Sequence, residues 1–234
     1  MKNENLGVIG SGRVATHFMH YLNLSGMNYI NWSRKKDIDS PEIKLKDVSI
    51  IIILISDDAI EEFIKSHPKL REKTLIHFSG TLSINGIISL HPLMTFSKNL
   101  YDFETYKSIP FIGIEGEKPL KTLLPELQNP YFTVKAEDKG VYHALCVISG
   151  NFTTILWQKA KNDFNNILNL PPQALDPYMN QIFNNLTVDY KNALTGPIKR
   201  GDKKTIRTNI KSLQSKVWKN IYKLFKKAYN KELK

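Results

Sequence analysis

Gly7-Val-Ile-Gly10-Ser11-Gly12-Arg13-Val14-Ala15 decides how the rest of this chain reads. Its small residues spell G-x-G-x-x-A. The apolar run Leu6 to Ile9 leads into it, and Val14 to Leu24 follows with helical periodicity, so the motif falls at a strand–turn–helix junction. In that setting Gly10 permits the tight turn and Gly12 lets a pyrophosphate approach the backbone. Ala15 keeps the helix close to the sheet. The helix start offers unpaired N–H groups to phosphate. Ser11, Arg13 and Val14 complete the expected phosphate-binding turn.

The second apolar run, Tyr29 to Trp32, ends in Ser33-Arg34-Lys35. An Asp or Glu at that strand end would accept the ribose hydroxyls of NAD. A hydroxyl with two cations suits a 2′-phosphate instead. Ser33, Arg34 and Lys35 therefore predict NADPH, the other reading being a merely solvated turn. Val48 to Ile55 is a buried third strand ending in Ser56-Asp57-Asp58. Ser56 and Asp57 are expected to touch cofactor there. Asp58 reads equally as the N-cap of a helix over Ala59 to Lys65. Leu75 to Phe78, Gly86 to Leu90 and Pro110 to Ile114 continue the alternation of strands and helices. The predicted fold is α/β, a Rossmann doubly wound parallel sheet followed by an all-α C-terminal domain. Residues 1–136 form the expected NADP-binding domain, and 137–234 a helical substrate-binding and dimerisation domain. Lys139 to about Asn165 reads as one helix. Pro171-Pro172 interrupts the pattern, and nearly all of the remaining chain reads as helical.

Composition narrows the function classes. Among 234 residues, 41% are hydrophobic and 24% charged, ordinary for a globular protein. Val48 to Ile55 is too short to span a bilayer, and Met1–Asn5 lacks signal-peptide character. Cys146 is the single cysteine, which excludes an internal disulfide and points to the cytoplasm. The net charge is +11, and the tail from Lys203 to Lys234 carries eleven Lys/Arg against Glu232 alone. Within it Ile206, Ile210, Leu213, Val217, Ile221, Leu224 and Ala228 trace one stripe, which predicts a single long packed helix with a solvated basic side. Basic charge alone is only an electrostatic footprint for nucleic acid. Trp218, Tyr222 and Phe225 read as core or dimer contacts.

Several motifs together resemble a known family: the G-x-G-x-x-A turn, ISDDAI (55–60), HFSGTLS (77–83), SLHPLMTF (89–96), YHALCVISGNF (142–152) and ALTGPIKRGD (193–202). They resemble the two-domain Rossmann-like NADP-binding reductases whose C-terminal half is a domain of unknown function. These are related to 6-phosphogluconate dehydrogenase, pyrroline-5-carboxylate reductase and ketopantoate reductase. Some members resemble an alternative class of ketopantoate reductase. The resemblance implies a homodimer with no membrane segment, acting on a small 2-oxo acid. Reduction of 2-dehydropantoate to pantoate leads. A pyrroline-5-carboxylate-type imine reductase and a non-catalytic NADPH-binding sensor are the alternatives.

Ketone reduction calls for a proton donor, a polar orienter and a cation for the carboxylate. His91, in Ser89-Leu90-His91-Pro92, is the first candidate donor. The stretch resembles the His-Pro segment of prephenate dehydrogenases, in which that histidine contacts substrate. A histidine bonded to backbone at a strand end is the other reading. His143 and Asn151 stand eight apart on the long helix and project to broadly one side. Asn151 resembles the substrate-binding Asn of ketopantoate and hydroxyacid reductases. Val147 stands where those families place a lysine, so His143 or His91 must replace that acid; a capping or packing role for His143 stays open. Ser149-Gly150 reads as a close-packing pair, and Cys146 as buried and inert. In the loop Thr195 to Asp202, Arg200 offers a fork for a carboxylate, with Lys199 in reserve and Thr195 beside them. Pairing of Arg200 with Asp189 is the alternative, and Asp202 is expected to cap the last helix. His17, His20, His67 and His77 lack metal-ligand spacing.

Overall fold

Isoleucine-rich four-residue strands, buried on both faces, organise the first part of the chain. The computed structural model describes residues 6–233. Met1–Asn5, on which the signal-peptide reading rests, and Lys234 of the basic tail lie outside the described residues. The elements run β1 (Leu6–Ile9), α1 (Arg13–Leu24), β2 (Ile30–Trp32), α2 (Pro41–Lys44), β3 (Ile50–Ile53), α3 (Asp57–Ser66), β4 (Thr74–His77) and β5 (Ile88–Ser89). These five strands pair in parallel in the order β2-β1-β3-β4-β5. Val8, Ile52 and Ile76 stand in register on one face. Ile9, Ile51, Ile53 and Leu75 point into a second core on the other. The sheet is doubly wound, and its order reverses between β1 and β3, where a crevice opens at the carboxyl ends.

Beyond β5 the chain leaves the parallel series. β6 (His91–Pro92), α4 (Phe103–Ser108), β7 (Phe111–Ile114), α5 (Leu120–Leu123) and β8 (Tyr131–Val134) follow. β6, β7 and β8 form a separate three-stranded sheet in which β6 and β7 are antiparallel. The strand expected at 110–114 therefore exists but belongs to a second sheet. Then come α6 (Lys139–Cys146), a π-helical segment Val147–Phe152, and α7 (Thr153–Asn166). The expected single helix is thus interrupted by wider π turns. Two compact units divide within α7, Met1–Ile155 and Leu156–Lys234. The change to helix comes close to residue 136, but the first compact unit extends beyond it.

The second unit holds α8 (Asp176–Asp189), α9 (Gly196–Arg200), α10 (Lys203–Ser212) and α11 (Lys216–Ala228). The single basic helix expected over the tail is two helices. Leu213 is extended, and Ser215 Oγ accepts the amide N–H of Trp218 at 3.4 Å as a new N-cap. A serine inside a regular apolar stripe hid that stop. Asp202 caps α10, its carboxylate accepting from the Thr205 amide at 3.0 Å. Trp218 lies under Lys159 Nζ, 5.6 Å from its ring centre, and Tyr222 Oη accepts from Asn209. No helix among the described residues is long and apolar enough to cross a membrane.

Candidate active site

The G-x-G-x-x-A turn sits at the topological switch point. Gly10 has φ +130°, donates its N–H to Trp32 O at 2.9 Å, and leaves no room for a side chain. A Cβ there would lie 2.3 Å from Leu54 O. Asn31 Nδ2 holds the turn from the β2 side, donating to Val8 O and Gly10 O at 2.9 Å each. Gly12 differs. A Cβ on it would meet nothing within 4 Å, and as the N-cap of α1 it has ordinary extended backbone. No contact among the described residues calls for glycine at this position, whereas close approach of a ligand does. α1 has no capping side chain and no acid in its first turn, so its N–H groups face an open anion site. Ser11, Gly12 and Arg13 are exposed and Val14 is half-buried. Arg13 Nη1 donates to Phe96 O at 3.4 Å, linking the turn to the loop after β6. The cradle fits a dinucleotide diphosphate.

At the end of β2, Ser33 is buried with no partner for its Oγ, while Arg34 and Lys35 are exposed. The strand-end reading missed one carboxylate. Asp37 folds back so that Oδ2 accepts the Ser33 N–H at 2.7 Å, while Oδ1 pairs with Lys44. Lys44 and the Ser33 amide hold its carboxyl below the usual range. Both oxygens are engaged, so it competes weakly for a ribose hydroxyl. At the end of β3, α3 begins at Asp57 with Ser56 as its N-cap residue. Asp58 lies in the first turn and is not the cap. Asp57 Oδ2 accepts from Ser79 Oγ.

That bond opens a polar cluster along the sheet edge. Ser79, after β4, uses Oγ to accept the amides of Thr81 and Leu82 at 3.2 and 3.1 Å. Lys139, 3% exposed, sends Nζ to Ser79 O at 3.0 Å and to Ser89 Oγ. The Ser89 amide donates to Glu117 Oε2 at 2.8 Å. Burial drives Lys139 down to about 8, with Glu117 and Asp57 opposing. His77 is wholly buried, and its Nδ1 accepts the Ser79 amide at 3.2 Å. Burial, reinforced by Lys139, pushes it down to about 4. Its Nε2 has no partner.

The structure brings His91 and His143 together, their rings 6.1 Å apart and edge-to-face. Tyr142 supplies a hydroxyl 2.6 Å from His91 Nδ1. This side-chain partner replaces the backbone bond considered for His91. Burial first, then the charges of His143 and Lys139, hold His91 down to about 4, so it is neutral at pH 7. Folding thus removes from His91 the titration near neutral pH that imidazole has in water. Burial and a hydrogen bond with Cys146 push Tyr142 upward. His143 packs on Gly80, where a Cβ would lie 2.3 Å from its Cδ2. Asn151 is exposed within the π segment, whose i→i+5 turns advance less per residue and so bring it nearer the line of His143. No neighbouring group approaches Gly150, so close packing does not explain it.

Thr195, Lys199 and Arg200 lie in the second unit, with Thr195 as the N-cap residue of α9 and Gly201 closing it at φ +71°. Asp189 bonds Asn192 at 2.8 Å, and Arg200 acts on Asp202. The Arg200–Asp189 pair considered from sequence is not formed. Sequence reading missed Ser79, Gly80, Ser89, Glu117, Lys139 and Tyr142. HFSGTLS and YHALC carried a signal, because they matched family motifs, but Lys139 looked like any lysine opening an amphipathic helix.

Residues 111–229 match a family described as a domain of unknown function, DUF2520. Among solved structures, a candidate NADP oxidoreductase from Bacteroides fragilis is similar at 22% identity and TM-score 0.76, covering 95% of this chain and 96% of that one. A protein from Thermotoga maritima is similar at 25% identity and TM-score 0.68, over 98% and 100% of the two chains. Pyrroline carboxylate reductase from Plasmodium falciparum, solved with NADP bound, is similar at 14% identity and TM-score 0.59, over 97% and 92%. No curated protein matches the chain.

Proposed function

The chain belongs to the DUF2520 family, and from that premise we propose that it is an NADPH-dependent reductase of a small 2-oxo acid, with ketopantoate as the leading substrate. The observation that carries the reading is an open glycine cradle at Gly12, after β1, together with a histidine–tyrosine pair whose histidine lies two residues past the end of β5. Bound NADPH would supply the hydride. Gly10, Ser11, Gly12, Arg13 and Val14 would hold its diphosphate. Ser33, Arg34 and Lys35 would hold the 2′-phosphate, and Ser56 and Asp57 would meet ribose or phosphate. With Tyr142 donating to His91 Nδ1, the neutral imidazole carries its proton on Nε2. That N–H donates a hydrogen bond to the ketone oxygen as the alkoxide develops, and solvent supplies the proton of the product alcohol. His143 and Asn151 orient the substrate. Arg200, with Lys199 in reserve and Thr195 beside them, is the candidate carboxylate ligand within the second unit.

A second reading has one specific support. His91 is held neutral, and an iminium substrate that arrives protonated requires no acid. Steady-state NADPH oxidation with ketopantoate and with pyrroline-5-carboxylate separates the two. Turnover of ketopantoate, with loss of more than about tenfold in His91→Asn, supports the first. Turnover of the imine alone, with His91→Asn unaffected, replaces it. Tight NADPH binding without turnover of either favours a sensor.

A homodimer belongs to the same reading. Val141, Leu145, Ile148, Phe152 and Ile155 follow one another at steps of four and three, and each is about half exposed or more. Such an uncovered seam matches itself across a two-fold axis.

A further inference from the structure

Lysine is rarely buried without paired charge, and Lys139 is almost completely buried. Its surroundings come from several separate segments. Asp57 stands in the first turn of α3, His77 and Ser79 at the end of β4, and Ser89 at the end of β5. His91 is on β6 and Glu117 follows β7, while Tyr142 and His143 ride on the same helix. The hydrogen bonds form a chain, Asp57 to Ser79, Ser79 to Lys139, Lys139 to Ser89, and Ser89 to Glu117. Lys139 is its centre, and among the described residues no other lysine or arginine enters it.

The positions of the imidazoles follow from those bonds. His91 is two residues beyond Ser89, and Gly80, the floor under His143, is one beyond Ser79. Tyr142 and His143 lie three and four residues after Lys139, on one side of α6. Both strand ends and the helix are therefore tied to one ammonium. Resting on the reductase reading above, we propose that Lys139 is the positioning residue of this site. Its buried ammonium clamps the loop after β4 and the end of β5 to the first turn of α6, and so holds His91 against Tyr142 and His143. It is too deep to touch substrate. Its charge also disfavours a second proton on His91, which leaves Nδ1 able to accept from Tyr142. Deprotonation of Lys139, near 8, would remove the charge that strengthens both bonds and so loosen the clamp.

The test compares wild type with Lys139→Met by histidine NMR titration, NADPH calorimetry and a pH–rate profile. We expect Lys139→Met to bind NADPH within about twofold of wild type and to lose roughly tenfold or more in kcat, because the donor is misplaced. Its His91 midpoint should move up, and the fall in wild-type activity above about pH 8 should vanish. An unchanged His91 midpoint with unchanged kcat overturns the proposal. If Lys139→Met does not fold, Ser89→Ala removes one acceptor only. An upward shift of its His91 midpoint supports the clamp, and identity with wild type refutes it. Should wild type reduce neither oxo acid nor imine, the reductase reading fails while the NMR comparison still decides the role of Lys139.

Discussion

Replacing Gly80 with alanine separates the site from the fold. The added Cβ would lie 2.3 Å from His143 Cδ2 and 3.2 Å from both Cγ and Nε2. Carbon atoms rest at about 3.5–4.0 Å, so the ring must retreat by roughly 1.2–1.7 Å. Gly80 is outside the left-handed region, so its backbone accepts alanine. The three atoms nearest the added Cβ all belong to one side chain, which can rotate. Overpacking of that kind destabilises by about 1–3 kcal/mol, and the lower end applies here. Gly10 gives the contrast, since its Cβ would strike the Leu54 carbonyl, backbone that cannot swing aside. If His143 orients substrate as proposed, a displacement of over an ångström is worth on the order of 10–100-fold. Gly80→Ala should therefore lose that much in kcat/KM while NADPH affinity, set at the β1–α1 turn, stays within about twofold. Urea denaturation and calorimetry check the two controls. The decisive comparison is a double-mutant cycle with His143→Ala. If Gly80→Ala acts through the ring, the double variant is no worse than His143→Ala alone. Additive losses, or a Gly80→Ala enzyme with wild-type kcat/KM, would refute the reasoning.

Three further outcomes are expected. Gly12→Ala should lower the melting temperature by only a few degrees, the cost of alanine at the N-cap of α1, because nothing lies within 4 Å of the new methyl, yet weaken NADPH by about tenfold or more in calorimetry. Equal affinity would mean that the open cradle is not the cofactor site. Ile148→Glu puts a charge in the middle of the exposed seam and should convert a dimer to monomer in light scattering, and a wild type that is already monomeric would rule the dimer out. The third concerns acid stability. His77 moves from 6.5 to about 4 on folding, so between those values the unfolded chain binds a proton that the native state refuses. Stability then rises with pH across that window, and on the order of 3 kcal/mol is lost on acidification from 6.5 to 4. His91 acts with the same sign. Urea midpoints measured from pH 4.5 to 7 should flatten in His77→Gln, and a wild-type slope in that variant would assign the acid sensitivity elsewhere.

Much of the scaffold could be read in advance because its signals are local. Leu6–Ile9 was an expected strand, and the Rossmann class followed from Gly10 and Gly12 at a strand–helix junction. The errors share one cause, the choice of partner. Pro110 to Ile114 has the composition of a parallel strand but pairs in another sheet. Ser215 stops a helix whose apolar stripe runs through it without a break. Asp37 returns to the end of β2 through a bond to Ser33 that no spacing rule contains.

For the candidate site the division is sharper. His91, His143 and the glycine turn were legible, since each sits in a motif whose residue types suggest chemistry. Lys139, Glu117 and Tyr142 were not, because a lysine in a helix, a glutamate in a turn and a tyrosine before a histidine have no distinctive pattern of their own.

From its order of residues alone this protein has a parallel sheet with an anion-binding turn, since strand period, helix period and glycine geometry are set within a few neighbouring positions. Only the tertiary structure decided that Lys139 is buried, that His91 is neutral and that His143 rests on Gly80. Desolvation and charge coupling arise between segments as far apart as Asp57 and Tyr142, and they exist only once the folded chain has excluded water from between them.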